Sequence, residues 1–417
     1  MRVLYLSHDG MLEPLGRSQV LPYLRGLAAR GERMTLLSFE KRADRRRPGR
    51  EAALRGELAA QGIRWIALTY HRRPAGLATA WDVALGTARA WGLCRREGIR
   101  VIHARSEVAG LMAFVLKRLC GVRFLFDMRG FWADERAEGG AWPATGLRYR
   151  TAKRLERILL EEADEVVTLT EQARTTVASW LGGRCPPVTV IPTCVDLERF
   201  GAPERRVGPW RAPVFIYAGS VAPWYLPSEV FGFVRVAGER FPGARLIVLT
   251  REREEALRNL QGSGLPADRV TVASVEPPEV PGWLAQAHAG LAFYRPGFSR
   301  RGTCPTKVGE YLAMGLPVVV NGWVGDMETL VGGNRVGAIL PDCTAEAFER
   351  ALDELEILWA DPDRAARCRQ VAERHFSLEM GVERYWAIYR RLAGPPAAGE
   401  TAAEAPVPSP ALEHAPT

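Results

Sequence analysis

Short β-rich runs alternate with longer helical patterns along almost the whole chain, and the alternation starts over once near its middle. The first series of strand-like runs is "RVLYLS", "RMTLLSF", "IRWIAL", "RVIHA", "VRFLFD", "EVVTLT" and "VTVIP", with helical segments between them at 18–30, 78–98, 107–119 and 145–162. Strands that alternate with helices of this length are joined by right-handed crossovers into a parallel sheet covered on both faces. After "VIPTCVDLERF" comes a Pro/Gly/Arg-rich stretch, "GAPERRVGPWRAP", with the character of an interdomain linker. The second series then runs "VFIYAGS", "ARLIVLT", "RVTVAS", "AGLAFY", "LPVVVN" and "VGAIL". The pattern predicts two doubly wound α/β domains in tandem: 1–196, a linker over 197–212, then 213–376. A terminal helix follows over 377–393, with apolar residues at 378, 382, 385, 388 and 392 on one face, which fits either domain. The Pro/Ala-rich stretch 394–417 has almost nothing bulky to bury and reads as a disordered tail.

Composition narrows the class. The chain has 417 residues, of which 47% are hydrophobic, enough for two sizeable cores. No apolar run reaches the roughly 18 to 20 residues that a membrane helix needs. The opening "MRVLYLSHDG" reads as a first strand, not a signal peptide. Seven scattered cysteines without a Cys-x-x-Cys pair argue against disulfides and structural zinc and for a reducing cytosol. The net charge is +8, and "KRADRRRPGR" at 41–50 concentrates six basic residues in ten. Such a run is a solvated loop or a contact for anionic lipid headgroups. No stacking-aromatic or zinc-finger pattern accompanies it, so nucleic acid is not expected as a partner.

In open α/β sheets, ligands bind at the carboxyl ends of the strands, so the loops that follow strands hold the candidate residues. In "FSRRGTCPTKVGEYLAMGLPVVVN", Pro305 stands at a helix start with Thr306, Lys307 and Gly309 behind it. The free N–H groups of that turn, with Arg300, Arg301 and Lys307, compose an anion site, and Glu310 suits a pair of ribose hydroxyls. The plainer alternative is an i,i+3 ion pair on a surface helix. In "YAGSVAPWYLPSE", Gly219 and Ser220 let backbone approach a phosphate, while Trp224 and Tyr225 line a cleft or fill a gap. In the first domain, Gly16, Arg17, Ser18 and Gln19 lead from the first strand into a helix without the Gly-x-Gly-x-x-Gly fingerprint. Arg105 in "HARSE", and Asp127, Arg129 and Asp134 in "FDMRGFWADE", are expected to point into the same cleft. Asp361 and Asp363 in "ADPDR" read as helix capping, and His288 as a surface or core histidine. No His/Cys cluster has metal spacing, and no Gly-x-Ser-x-Gly elbow occurs.

Taken together, these segments resemble the retaining glycosyltransferases of family 4, which have the two-Rossmann-domain GT-B fold. The resemblance covers roughly residues 1 to 392. "VIPTCVDLERF" is similar to that family's Ile-Pro-Asn-Gly-Val-Asp signature, "PTKVGEYLAMGLPVVVN" to its donor-binding helix, and "GDMETLV" to the segment that follows. "FSLEMGVERYWAIYRRL" resembles its terminal helix, which crosses back to the first domain. The family commonly carries two glutamates eight positions apart. Glu310 matches the second, while Gly302 stands at the first. The resemblance implies that Glu310 meets the donor's ribose and that the reaction proceeds with retention.

The expected function is therefore transfer of a sugar from a nucleoside-diphosphate sugar to a glycan or lipid-linked acceptor, with no metal and no other cofactor. The diphosphate is expected near Gly219, Ser220, Arg300, Arg301, Thr306 and Lys307. The acceptor is expected to pass Gly16, Arg17 and Ser18 towards Arg105, Asp127 and Arg129, the expected catalytic groups. The expected location is cytoplasmic, peripheral at the inner face of the plasma membrane. Two alternatives stay open at this point: a nucleotide-sugar epimerase of the same fold, and a noncatalytic nucleotide-sugar-binding protein.

Overall fold

The computed structural model describes residues 1–74, 76–201, 210–221 and 224–394. Most of the linker stretch and the Pro/Ala-rich terminal stretch therefore lie outside the described residues. The first sheet contains β1 (Arg2–Ser7), β2 (Arg33–Glu40), β3 (Arg64–Thr69), β4 (Val101–Arg105), β5 (Arg123–Asp127), β6 (Glu165–Thr168) and β7 (Val188–Val190). All are parallel, in the order β3-β2-β1-β4-β5-β6-β7. The second contains β8 (Val214–Ala218), β9 (Arg245–Leu249), β10 (Val270–Ala273), β11 (Ala289–Ala292), β12 (Val318–Asn321) and β13 (Gly337–Leu340). These too are parallel, in the order β10-β9-β8-β11-β12-β13. Two Rossmann-like domains thus face each other across a cleft, the GT-B architecture.

The central strands are apolar on both faces because helices cover both. Val3, Leu4 and Leu6 of β1 and Phe124, Leu125 and Phe126 of β5 are all buried. This is the near-continuous hydrophobic run required of a parallel sheet, rather than the alternation of a half-exposed one. In each sheet the strand order reverses once, between β1 and β4 and between β8 and β11. Diverging loops open a crevice at such a switch point. The two crevices face each other, and that opposition makes the cleft.

The Leu378–Ala393 helix, capped by Ser377, belongs physically to the first domain. Its Val382, Tyr385, Ile388 and Tyr389 join the core cluster that contains Val3, Tyr5, Tyr23 and Leu125. His103 of β4 shares a 2.8 Å hydrogen bond with the Tyr389 hydroxyl, and Gly26 leaves the space that Val382 fills. The amphipathic face alone left its partner open; the matching cavity on the first domain decides it. The chain's two passages between domains run side by side. The Val195 N–H donates to the Phe376 carbonyl at 2.7 Å, and the Leu378 N–H donates to the Val195 carbonyl at 3.0 Å. Gly309 sits against this crossing, with space for a side chain taken by Val195 and Phe376.

Candidate functional site

The cleft has a volume of about 670 Å³ and is lined from both domains. From the second domain come Gly219 and Ser220 after β8, Arg300 after β11, and Thr306, Lys307 and Glu310 on the Thr306–Ala313 helix. From the first come Ser18, Arg105 and Arg129.

Lys307 is the most constrained of these. It is 7% exposed, and its ammonium lies 3.9 Å from the ring centre of Tyr217, 4.6 Å from Tyr225 and 5.7 Å from Tyr294. Aromatic faces attract a cation without neutralising it. The nitrogen donates a hydrogen bond to no described residue, Glu310 included. Burial lowers its pKa to about 7 against the pull of Glu310. The half-buried Glu310 is pushed up to about 7, again by burial, with Arg199 and Lys307 opposing. The i,i+3 pair is therefore not a surface ion pair: a buried amine without a partner lies at the cleft wall beside a helix N-terminus.

The cage is assembled from strand ends. Tyr217 is the last residue but one of β8, and its hydroxyl donates to the Ser220 carbonyl. Tyr294 follows β11 and is pinned by Asn321 at the end of β12. The Tyr294 N–H donates to Asn321 Oδ1 at 2.8 Å, and Asn321 Nδ2 donates to the Tyr294 carbonyl at 2.9 Å. Gly219 has φ 142°, and a Cβ there would lie 2.9 Å from Lys307 Nζ. Glycine is needed for both reasons, backbone conformation and close approach.

On the facing wall, Gln19 spans the domains. Its Nε2 donates to Thr306 Oγ1 at 2.9 Å, while its Oε1 accepts from Arg105 Nη2 at 3.2 Å and lies 3.5 Å from Arg129 Nη2. Asp127 does not line the cleft. It is 1% exposed beneath the two arginines, 3.9 Å from Arg105 Nη1, 3.5 Å from Arg129 Nη1 and 3.5 Å from His103 Nε2. Burial alone would raise its carboxyl, yet Arg129, His103 and Arg105 hold it well below the usual carboxylate range. As the last residue of β5 it lies beneath the cleft lining and pairs with the two guanidiniums. Asp134 also turns away, accepting from Tyr149 at 2.8 Å and Lys153 at 2.9 Å.

Three other expected residues lie outside the lining. Arg17 is exposed on the outer side of its short helix. Gly16 is buried, and a Cβ there would meet the Gly10 carbonyl at 2.4 Å, so packing accounts for the glycine. Arg301 is exposed and stacks over the Phe298 ring at 5.5 Å. Arg300 turns the other way, 6% exposed, with its guanidinium donating to Ser299 Oγ at 2.9 Å. Asp361 accepts the Asp363 N–H at 2.9 Å, and buried His288 accepts the Val214 N–H at 3.0 Å, both structural roles.

Glu135 was not singled out in the sequence, although it lines the cleft. It sits in the first turn of the Trp132–Glu138 helix and brings a carboxylate oxygen to 3.8 Å from Arg300 Nη2. Burial raises its pKa, with Arg300 opposing. Gly302, where a glutamate was expected by resemblance, is walled in. A Cβ there would lie 3.1 Å from the Phe131 ring and 3.2 Å from the Gly130 Cα. Among the described residues, no group of three or more His, Cys, Asp or Glu is placed to hold a metal ion.

Comparison with known proteins agrees with this geometry. The family model described as "Glycosyl transferase 4-like domain" matches residues 17–194, and the one described as "Glycosyl transferases group 1" matches residues 212–356. The chain belongs to the superfamily of glycosyltransferases with the GT-B fold. It is 27% identical over 264 residues to the D-inositol 3-phosphate glycosyltransferase of Mycobacterium bovis (strain BCG / Pasteur 1173P2), an alignment covering 57% of this chain and 51% of the relative. The chain thus spans about half the length of the curated relatives it matches. Among solved structures, sucrose-phosphate synthase from Thermosynechococcus elongatus superposes with a TM-score of 0.68 at 17% identity, covering 94% of this chain and 98% of that one. Anabaena HepE in complex with UDP and glucose superposes with a TM-score of 0.65 at 14% identity, covering 93% and 99%.

Proposed function

We propose that the chain is a retaining, metal-independent hexosyltransferase of the family 4 type, moving a sugar from a nucleoside-diphosphate donor to a hydroxyl of a glycan or lipid-linked acceptor. The observation that carries this reading is the unpartnered Lys307 ammonium, caged by three tyrosines at a helix N-terminus on the cleft wall. A buried cation without an anion is expensive to maintain, and a diphosphate supplies the missing charge. Gly219 gives the phosphate oxygens access to backbone, and Arg300 adds a second cation from the same domain. Glu310, three residues along the helix, takes the ribose hydroxyls.

In the proposed reaction the bond between the anomeric carbon and the diphosphate oxygen breaks. The acceptor oxygen bonds to that carbon on the same face, and its proton leaves with the diphosphate. Negative charge grows on the diphosphate as the bond stretches, so Lys307, Arg300 and the helix N-terminus stabilise the transition state more than the ground state. Arg105 and Arg129, held by Asp127 and Gln19, present positive charge from the acceptor side. Of the donors available to such a cleft, a uridine diphosphate sugar is the first to try, given the complex that HepE forms with UDP and glucose.

The experiment is a thermal-shift and product-release series with UDP-, GDP- and ADP-sugars on wild type and Lys307→Met. Stabilisation by one nucleotide, lost in the variant, with acceptor-dependent release of diphosphate, supports the reading. Stabilisation without release under any acceptor favours a noncatalytic sugar-nucleotide binder, for which the filled space at Gly302 speaks. Release of an epimerised sugar from donor alone points to an epimerase.

A further inference from the structure

The Leu77–Glu97 helix turns its largest apolar side chains outward over most of its length. Over its first turns the fully buried residues are small or polar, Ala78, Asp82, Gly86 and Ala90, and only Leu93 and Cys94 near its end enter the core as larger apolar groups. Gly86 lets it approach Met112 and Phe39 so closely that a Cβ would lie 2.6 Å and 2.9 Å from them. Its outward face carries Leu77 at 71% exposure, Trp81 at 61%, Leu85 at 38% and Trp91 at 46%. Exposed Ala80, Ala84 and Ala88 fill the space between them. Over residues 77–88 the only charged side chain is Asp82, which is fully buried. At helical spacing these outward positions form one stripe about 20 Å long. A continuous apolar patch of large side chains on a solvent face marks an interaction surface.

Cations frame the stripe. Exposed Arg72 and Arg73 lie a few residues before the helix, and with Lys41, Arg42, Tyr70 and His71 they line a cavity of about 670 Å³. At the other end, exposed Arg89 and Arg95 flank Trp91, with the Arg95 guanidinium 5.9 Å from its ring. Asp82 fixes the basic loop to the helix, accepting the His71 N–H at 3.1 Å and pairing with His71 Nδ1 at 2.6 Å. The same carboxylate lies 3.3 Å from His8 Nε2. The next residue, Asp9, lines the catalytic cleft and sits 3.6 Å from Arg105 Nε. Stripe, basic cavity and cleft mouth therefore lie on one end of the first domain.

We propose that this face docks on an anionic lipid surface, with Leu77, Trp81, Leu85 and Trp91 entering the headgroup boundary and the basic cavity taking lipid phosphates. Aromatic and leucine side chains on one side with arginines at the margins are what an interfacial helix requires, and basic residues near an anionic surface add attraction that salt screens. A protein partner would be expected to meet polar groups as well as apolar ones over the stripe's length. A bilayer needs only the apolar stripe and the cationic rim. The surface stands whatever reaction the cleft performs.

The test is sedimentation of the full chain with vesicles of phosphatidylglycerol and phosphatidylcholine, against phosphatidylcholine alone. Expected are binding to the anionic vesicles, at least tenfold weaker binding to neutral ones, and loss with added salt. Trp81→Ser with Leu85→Ser, and separately Arg72→Glu with Arg73→Glu, are expected to lose binding while keeping the wild-type melting temperature and nucleotide-induced thermal shift. No binding of wild type at low salt overturns the proposal, as does binding that both double variants retain. A dimer seen by light scattering and abolished by Trp81→Ser, without vesicle binding, assigns the face to a second copy and also overturns it.

Discussion

Gln19 of the first domain donates to the Thr306 hydroxyl of the second at 2.9 Å while its carbonyl accepts from Arg105 at 3.2 Å. One side chain therefore ties the helix that holds Lys307 to the arginines of the opposite wall. Gln19→Ala removes both bonds, each worth roughly 0.5–1.5 kcal/mol. We expect nucleotide affinity to stay within about twofold and turnover to fall about tenfold, because the two walls lose their shared reference. Calorimetric titration beside steady-state kinetics separates the two; a loss confined to affinity would contradict this role.

Lys307 and Glu310 both titrate near neutrality, with pKa values of about 7. Diphosphate binding favours charged Lys307 and so raises its pKa; that contribution is full below about 7 and is lost as the pH rises. Ribose hydroxyls donating to Glu310 favour its carboxylate and lower its pKa; that contribution is present above about 7 and is lost as the pH falls. Nucleoside-diphosphate affinity should therefore peak near neutral pH. Lys307→Met should flatten the alkaline limb and Glu310→Gln the acid limb. Identical profiles in all three proteins would remove the pair from the site.

Gly219→Ala places a methyl 2.9 Å from Lys307 Nζ on backbone at φ 142°. The strained conformation costs about 1–3 kcal/mol in the folded protein, and the displaced amine no longer sits in its cage. A lower melting temperature together with nucleotide affinity weakened at least tenfold is the expected outcome. Unchanged affinity would mean that the diphosphate does not use this turn.

Gly302→Glu is expected to fail as a restoration. Its Cβ would press on the Phe131 ring at 3.1 Å and the Gly130 Cα at 3.2 Å, and overpacking of this kind costs about 1–3 kcal/mol. Denaturant unfolding should show the loss, and unchanged stability would contradict the overpacking. In the wild-type cleft a carboxylate comes from across the domains, at Glu135, so Glu135→Gln is expected to lower turnover with little change in stability.

The strand runs were legible because buried parallel strands leave little choice of residue, and each of the thirteen runs named from sequence overlaps a strand of one of the two sheets. Loops after strands line the cleft for the same topological reason. Side-chain direction within those loops was not legible. Arg300 and Arg301 are neighbours with the same chemistry, yet one enters the cleft and the other stacks on Phe298. Asp127 reads like a cleft acid until the end of β5 is seen to turn it beneath two guanidiniums. The tyrosine cage draws on residues 217, 225 and 294, three segments that only the sheet order brings together.

The return of the Leu378–Ala393 helix to the first domain has a consequence for how the protein is made. Tyr385, Ile388 and Tyr389 complete a layer whose other members, Val3, Tyr5 and Leu125, leave the ribosome far earlier. During synthesis the amino-terminal half must wait with an uncovered apolar surface until nearly the last described residue has been added. The second domain, contiguous in sequence, is under no such delay. Premature termination anywhere before Ser377 therefore leaves the first domain without this cover.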